Sequence, residues 1–95
     1  MVLEVAILNV IPGKEAAFEL AFQKAKNIIK LSNGYINHQL QKSIETENKY
    51  ILLVNWQTLE DHTGGFRRSE LYKDWKELLH HFYDPFPAVE HYSLI

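Results

Sequence analysis

The sequence predicts one α+β domain, residues 1–95, with the element order β-α-β-β-α-β. Three observations carry that expectation. The hydrophobic period switches between alternation and three- or four-residue steps along the chain. Each switch falls at a cluster of Gly, Pro, Asn or short polar residues. Its 95 residues, 46% hydrophobic and 23% charged, match the composition of an ordered globular domain. A chain of this size hides roughly 60–70% of its unfolded surface, enough for one modest core.

Residues 2–11 (VLEVAILNVI) place Leu3, Val5, Ile7 and Ile11 at odd positions, interrupted by Asn9. The even positions mix Val2, Ala6, Leu8 and Val10 with Glu4. A strand dry on one face and partly dry on the other fits a sheet covered on both sides. Pro12-Gly13 ends it, and from Lys14 the period changes. Ala17, Phe18, Ala21, Phe22, Ala25, Ile28 and Ile29 form the stripe of an amphipathic helix of about four to five turns. Ser32-Asn33-Gly34 stops this helix, with Asn or Gly supplying a left-handed residue.

In residues 35–44, Ile36, His38 and Leu40 share one face of a strand, and Tyr35, Asn37, Gln39 and Gln41 the other. A polar loop, residues 45–49, leads to the nearly continuous apolar strand Tyr50 to Trp56, completing an antiparallel hairpin. Thr58 caps a short helix with Asp61 as its capping-box partner, and Gly64-Gly65 breaks it. Ser69 opens the second long helix, whose stripe is Leu71, Tyr72, Trp75, Leu78, Leu79 and Phe82. Asp84-Pro85-Phe86-Pro87 ends that helix, and Val89 to Leu94 is the last strand. This order is the ferredoxin-like split βαβ pattern.

Four strands with helices on one face leave the other face bare, and 95 residues have nothing left to cover it. The simplest cover is a second copy of the sheet, so a two-fold homodimer with a barrel-like centre is expected. Each apolar side chain buried in this way contributes roughly 1.5–3 kcal/mol.

Composition excludes several classes. Twelve acids against ten bases leave a charge of −2, and only Arg67-Arg68 is a basic run, which argues against nucleic-acid binding. Without cysteine there is no disulfide, thiolate metal site or cysteine nucleophile. No apolar run is long enough to span a bilayer. Met1-Val2-Leu3-Glu4 lacks a basic start and a cleavage site, so a cytoplasmic location is expected. No His-x3-His pair or His-Glu-x2-His is present, and adjacent His80 and His81 diverge by about 100° on a helix. No metal is expected.

The segments Ile11-Pro12-Gly13-Lys14 with Phe18, Asn33-Gly34-Tyr35, Leu53-Val54-Asn55-Trp56, His62 with Gly65-Phe66-Arg67, and Pro87-Ala88-Val89-Glu90-His91-Tyr92 resemble the antibiotic biosynthesis monooxygenase domain. The resemblance implies a dimeric α+β barrel and, in its best-studied branch, cofactor-independent oxidation of aromatic polyketides or quinols. It matches that branch's strand Trp with Trp56, and a polar aromatic six residues on with His62. The branch's Asn, four residues before the Trp, is Leu52 here, and Asn55 points to the opposite face. In the haem-degrading branch the accompanying Asn and His fall near Ala6 and Lys76, so two of that branch's three residues are missing.

Two readings stand for each leading candidate. Trp56 is a core aromatic or a pocket wall. His62, among Glu60, Asp61 and Thr63, is a solvent-facing residue or a base near neutral pH that deprotonates a phenol. Phe66 would clamp the ring with Trp56, and Phe22, Leu52 and Tyr72 complete the expected substrate-binding set. Arg67-Arg68 either orients an acidic group or is a solvated surface pair. His38 and His91 are expected to form hydrogen bonds at a sheet or dimer surface. The expected activity is cofactor-independent oxidation of a planar aromatic or quinol by dioxygen. The rival is a non-catalytic dimer that binds a small hydrophobic molecule, favoured by Leu52.

Overall fold

Antiparallel pairing organises the chain, seen in a computed structural model that describes residues 1–95. The elements are β1 (Val2–Asn9), α1 (Glu15–Ile29), β2 (Tyr35–Lys42), β3 (Lys49–Trp56), α2 (Glu70–Leu79) and β4 (Val89–Tyr92). The sheet order is β2-β3-β1-β4, with every neighbouring pair antiparallel. This is the ferredoxin-like α+β fold, with the first and third strands at its centre.

Strand alternation divides the sheet into two unequal faces. The even residues Ala6, Leu8, Tyr50, Leu52, Val54 and Trp56 are buried with Phe18, Phe22, Ala25 and Ile29 of α1 and Trp75 and Leu79 of α2. Both helices therefore cover the even face. On the odd face Leu3, Val5, Ile7, Ile51 and Leu53 are only half-buried. The single chain supplies no layer over them.

Three local expectations change. The first concerns β2, which carries an irregularity between Tyr35 and Asn37: Tyr35 pairs with Trp56, and Asn37 with Asn55. One extra residue inverts the phase. Tyr35 therefore packs against the core beside His38, with its hydroxyl 2.6 Å from His38 Nδ1, and Ile36 is exposed. The second concerns Gly64-Gly65, which does not break the chain's helical course. A π-helical turn, Asp61–Gly65, runs directly into a 3-10 turn, Phe66–Arg68. The third concerns β1, β2 and β4, which end earlier than expected, at Asn9, Lys42 and Tyr92; Val10 then bridges to Tyr83.

The caps follow the sequence. Thr58 Oγ1 accepts from the Asp61 amide at 3.1 Å and donates to Asp61 Oδ2 at 2.9 Å. Ser69 Oγ accepts from the Tyr72 amide, opening α2. Gly34 is the left-handed residue after α1, at φ +81°. No helix is long and apolar enough to cross a membrane.

Candidate active site

A carboxyl group lies in the core. Alternation along β1 turns Glu4 to the same face as Ala6 and Leu8, and Glu4 is only 6% exposed. A buried carboxyl without hydrogen bonds costs several kcal/mol or loses its charge, roughly in proportion to how dry the site is. Glu4 has two close polar neighbours. Trp56 Nε1 donates to Glu4 Oε1 at 2.9 Å, and His62 Nε2 lies 3.3 Å from the same oxygen.

The sheet register brings these groups together. Glu4 is directly opposite Val54 on β3, one step along from Trp56, and directly opposite His91 on β4. Directly opposed residues have Cβ atoms about 4.5–5.5 Å apart. His62 enters from the π-helical turn and is 3% exposed. Its Nδ1 lies 2.8 Å from His91 Nε2. The imidazole stacks on Trp56 with centroids 5.2 Å apart and planes at 19°. Phe66 closes this cluster, 5.7 Å from Trp56 and 6.4 Å from His62.

Burial sets the electrostatics. Loss of solvent is the main cause lowering the His62 pKa to about 3, aided by Arg67 and His91. It also raises the Glu4 pKa, against the opposing pull of the Trp56 hydrogen bond and the Arg67 charge. His91 is lowered by burial and then by Arg67. The Tyr83 hydroxyl is raised by burial and by its neighbours Tyr72 and Glu4. His62 is thus neutral at pH 7. Burial therefore moves His62 away from the near-neutral titration expected of it and moves Glu4 the other way, above its ordinary value.

Glu4 and His62 line a cavity of about 400 Å³ between sheet and helices. Ala6, Leu8 and Leu52 form its sheet wall, and Ile29, Phe66 and Trp75 its helical wall. Arg67, Tyr72, His80 and Tyr83 add polar groups, and Phe86, Pro87 and Val89 border it from the segment before and into β4. A dry wall with a few convergent polar atoms is the usual make-up of a small-molecule site.

Of the residues singled out in the sequence, His62, Leu52, Phe66 and Tyr72 meet in this cavity. Trp56 does not reach its wall. It is fully buried one layer behind His62, where it holds Glu4 rather than clamping a ligand ring. Phe22 also lies elsewhere, packed edge-on between Trp75 and His38, and faces a separate groove beside α1 and β2. His62 is not the solvent-facing residue that its acidic sequence neighbours suggest. Glu4 was not among the candidates, although a lone carboxylate in an otherwise apolar even register was visible. Asn55 lies on the odd face, donating to Asn37 Oδ1 at 2.8 Å, so no amide replaces the one absent at Leu52.

A four-stranded ferredoxin-like sheet with a partly open, aromatic-lined cavity on its helical side defines the class as a ferredoxin-like α+β domain. The chain belongs to the antibiotic biosynthesis monooxygenase family, whose model matches residues 1–78. It is 55% identical over 93 residues to YczJ of Bacillus subtilis (strain 168), an uncharacterized protein, with 98% of each chain covered. Among solved structures, a protein of Bordetella bronchiseptica classed with the antibiotic biosynthesis monooxygenases is 31% identical. It superposes with a TM-score of 0.94 over 99% of this chain and 96% of its own. SnoaB of Streptomyces nogalater, a cofactor-independent oxygenase, shares the fold at 18% identity, with a TM-score of 0.74 over 99% and 92% of the two chains.

Proposed function

We propose that the protein is a cofactor-independent monooxygenase that oxidises a planar phenol, anthrone or quinol in the cavity beside Glu4. The observation that carries this reading is a buried Glu4–His62 pair on the wall of an aromatic-lined cavity of about 400 Å³. Family membership supports it. In its ionised form Glu4 takes the acidic proton of the bound ring. The resulting anion is electron-rich enough to pass an electron to dioxygen, and the radical pair joins as a hydroperoxide. Loss of water leaves one oxygen atom on the ring as a carbonyl and carries off the other with two substrate hydrogens. An anthrone and dioxygen thus give a quinone and water.

The second reading is a dimer that binds a small hydrophobic molecule without oxidising it. It is favoured by Leu52, an apolar wall where the polyketide oxygenases are expected to carry an amide. In both readings a second copy covers the odd face through Leu3, Val5, Ile7, Ile51 and Leu53. The proposed setting is the cytoplasm, where dioxygen and a diffusing phenol both have access.

Dioxygen uptake over a panel of anthrones and hydroquinones tests the choice. Consumption of one dioxygen per ring, with no peroxide released, supports the oxygenase. Binding of the same rings without uptake supports the binder.

A further inference from the structure

His91 borders no part of the cavity wall, yet it joins the pair that does. From Glu4 Oε1 the polar contacts run 3.3 Å to His62 Nε2, then from His62 Nδ1 2.8 Å to His91 Nε2. The two nitrogens of His62 face opposite ways, so the three groups are strung in a line and do not converge on one point. His91 is the outermost member and half-buried, whereas Glu4 and His62 are buried. Stacking on Trp56 and the contact with Phe66 fix the middle ring in this orientation.

We propose that Glu4, His62 and His91 form a proton relay, through which His91 exchanges the proton of the cavity carboxyl with solvent. The relay starts with Glu4 protonated on Oε1 and both rings neutral with hydrogen on Nδ1. The Glu4 O–H bond breaks as His62 Nε2–H forms. His62 Nδ1–H breaks as His91 Nε2–H forms, and His91 releases its own Nδ1 proton to water. Glu4 ends as a carboxylate, both rings end neutral with hydrogen on Nε2, and one proton has left the cavity. The reverse sequence protonates Glu4 again. His91 acts through His62 and touches no ligand, so it is a positioning residue.

The arrangement solves a physical difficulty of the site. A buried carboxyl exchanges protons slowly unless a chain of hydrogen-bonding groups connects it to water. His62 is well suited to the middle position because burial, Arg67 and His91 keep it uncharged, so it passes a proton without holding one. Other titratable and charged groups line the cavity onto which Glu4 and His62 open. Arg67 borders the cavity from the 3-10 turn, Tyr72 from α2, and His80 and Tyr83 from the segment that follows. Trp56 on β3 holds Glu4 Oε1 from the side, leaving the line to His62 open. For the proposed oxidation, on whose reading the relay's catalytic use rests, protons balance overall. The ring proton borrowed by Glu4 leaves in the water formed, and the relay serves only to arm the carboxylate.

The test needs no ligand. Protein labelled with 15N at histidine is titrated by NMR, reading which ring nitrogen carries hydrogen at each pH. The relay requires His62 to stay neutral while its proton moves from Nδ1 to Nε2 as pH rises. His91 must switch in the same sense at the same midpoint, and Glu4→Gln must abolish both switches. Exchange of the His62 ring proton with water should slow severalfold in His91→Phe. A single His62 tautomer throughout, a His62 imidazolium at the midpoint of the switch, or independent midpoints for His62 and His91 would overturn the relay, and wild-type protein alone suffices to show any of them. A shared switch in a protein that consumes no dioxygen with anthrone upholds the relay and discards the oxygenase reading.

Discussion

At the scale of single residues, the site depends on one carboxyl and the groups that hold it. Removing the indole donor by Trp56→Phe should cost about 1.5–3 kcal/mol, the range for a hydrogen bond to a charged or chargeable group, read by chemical denaturation. The indole is fully buried and Phe is smaller, so the cavity left behind adds to this loss. Acid stability isolates His62. Its folded pKa of about 3 lies below the ordinary 6.5, so its contribution to stability is present above pH 6.5 and is lost as pH falls toward 3. Glu4 works the other way: its folded pKa lies above 4.5, so its contribution is present below that value and is lost as pH rises through the folded pKa. His62→Gln should therefore flatten the loss of stability on acidification between pH 6.5 and 3. An unchanged slope would place a charged His62 in the folded protein. Glu4 was hard to recognise in the sequence because its partners are distant: Trp56 is 52 positions away, and the residues beside Glu4 are ordinary strand residues.

At the scale of elements, hydrophobic period located the strands and helices, because both periods are long enough here to stand out. It failed where one residue changes the phase. The irregularity at Ile36 is such a place: nothing in YINHQL distinguishes a regular strand from one with an extra residue. The π-helical turn was hidden because Gly64-Gly65 reads as a breaker, yet the chain continues helically through both. That turn places His62 over Trp56. Its anchor is Gly34, where a positive φ and the nearby Asp61 side chain leave no room for a Cβ atom. Gly13 has a similar φ, +91°, with open space around it. Gly34→Ala should therefore destabilise by more than the roughly 1 kcal/mol expected for backbone strain alone. Gly13→Ala should stay near that value, and equal effects in a denaturant titration would contradict the contact with Asp61.

At the scale of the whole molecule, the two faces of the sheet divide the work. The helical face holds the core, the cavity and Glu4, and the odd face leaves Val5, Ile7, Ile51 and Leu53 half-buried, the face through which the proposed dimer would pair. Leu53→Lys should yield monomers in sedimentation at micromolar concentration while far-ultraviolet circular dichroism is kept. A wild-type chain sedimenting at 11.2 kDa would remove the dimer outright. The bare apolar face was legible in the sequence, and so were His62, Leu52, Phe66 and Tyr72 of the cavity, whereas its remaining wall was not, because that requires knowing which side each helix covers.

The most direct test of the central claim, that an ionised Glu4 in this cavity drives oxidation of a bound phenol, is dioxygen uptake with anthrone as a function of pH in wild type and Glu4→Gln. Wild type should show an acid limb whose midpoint lies above the ordinary carboxyl value of 4.5, set by burial of Glu4. Glu4→Gln should lower the plateau rate by roughly 10²–10⁴, the range for loss of a general base. A Glu4→Gln protein that keeps the wild-type rate and the same acid limb would contradict the account.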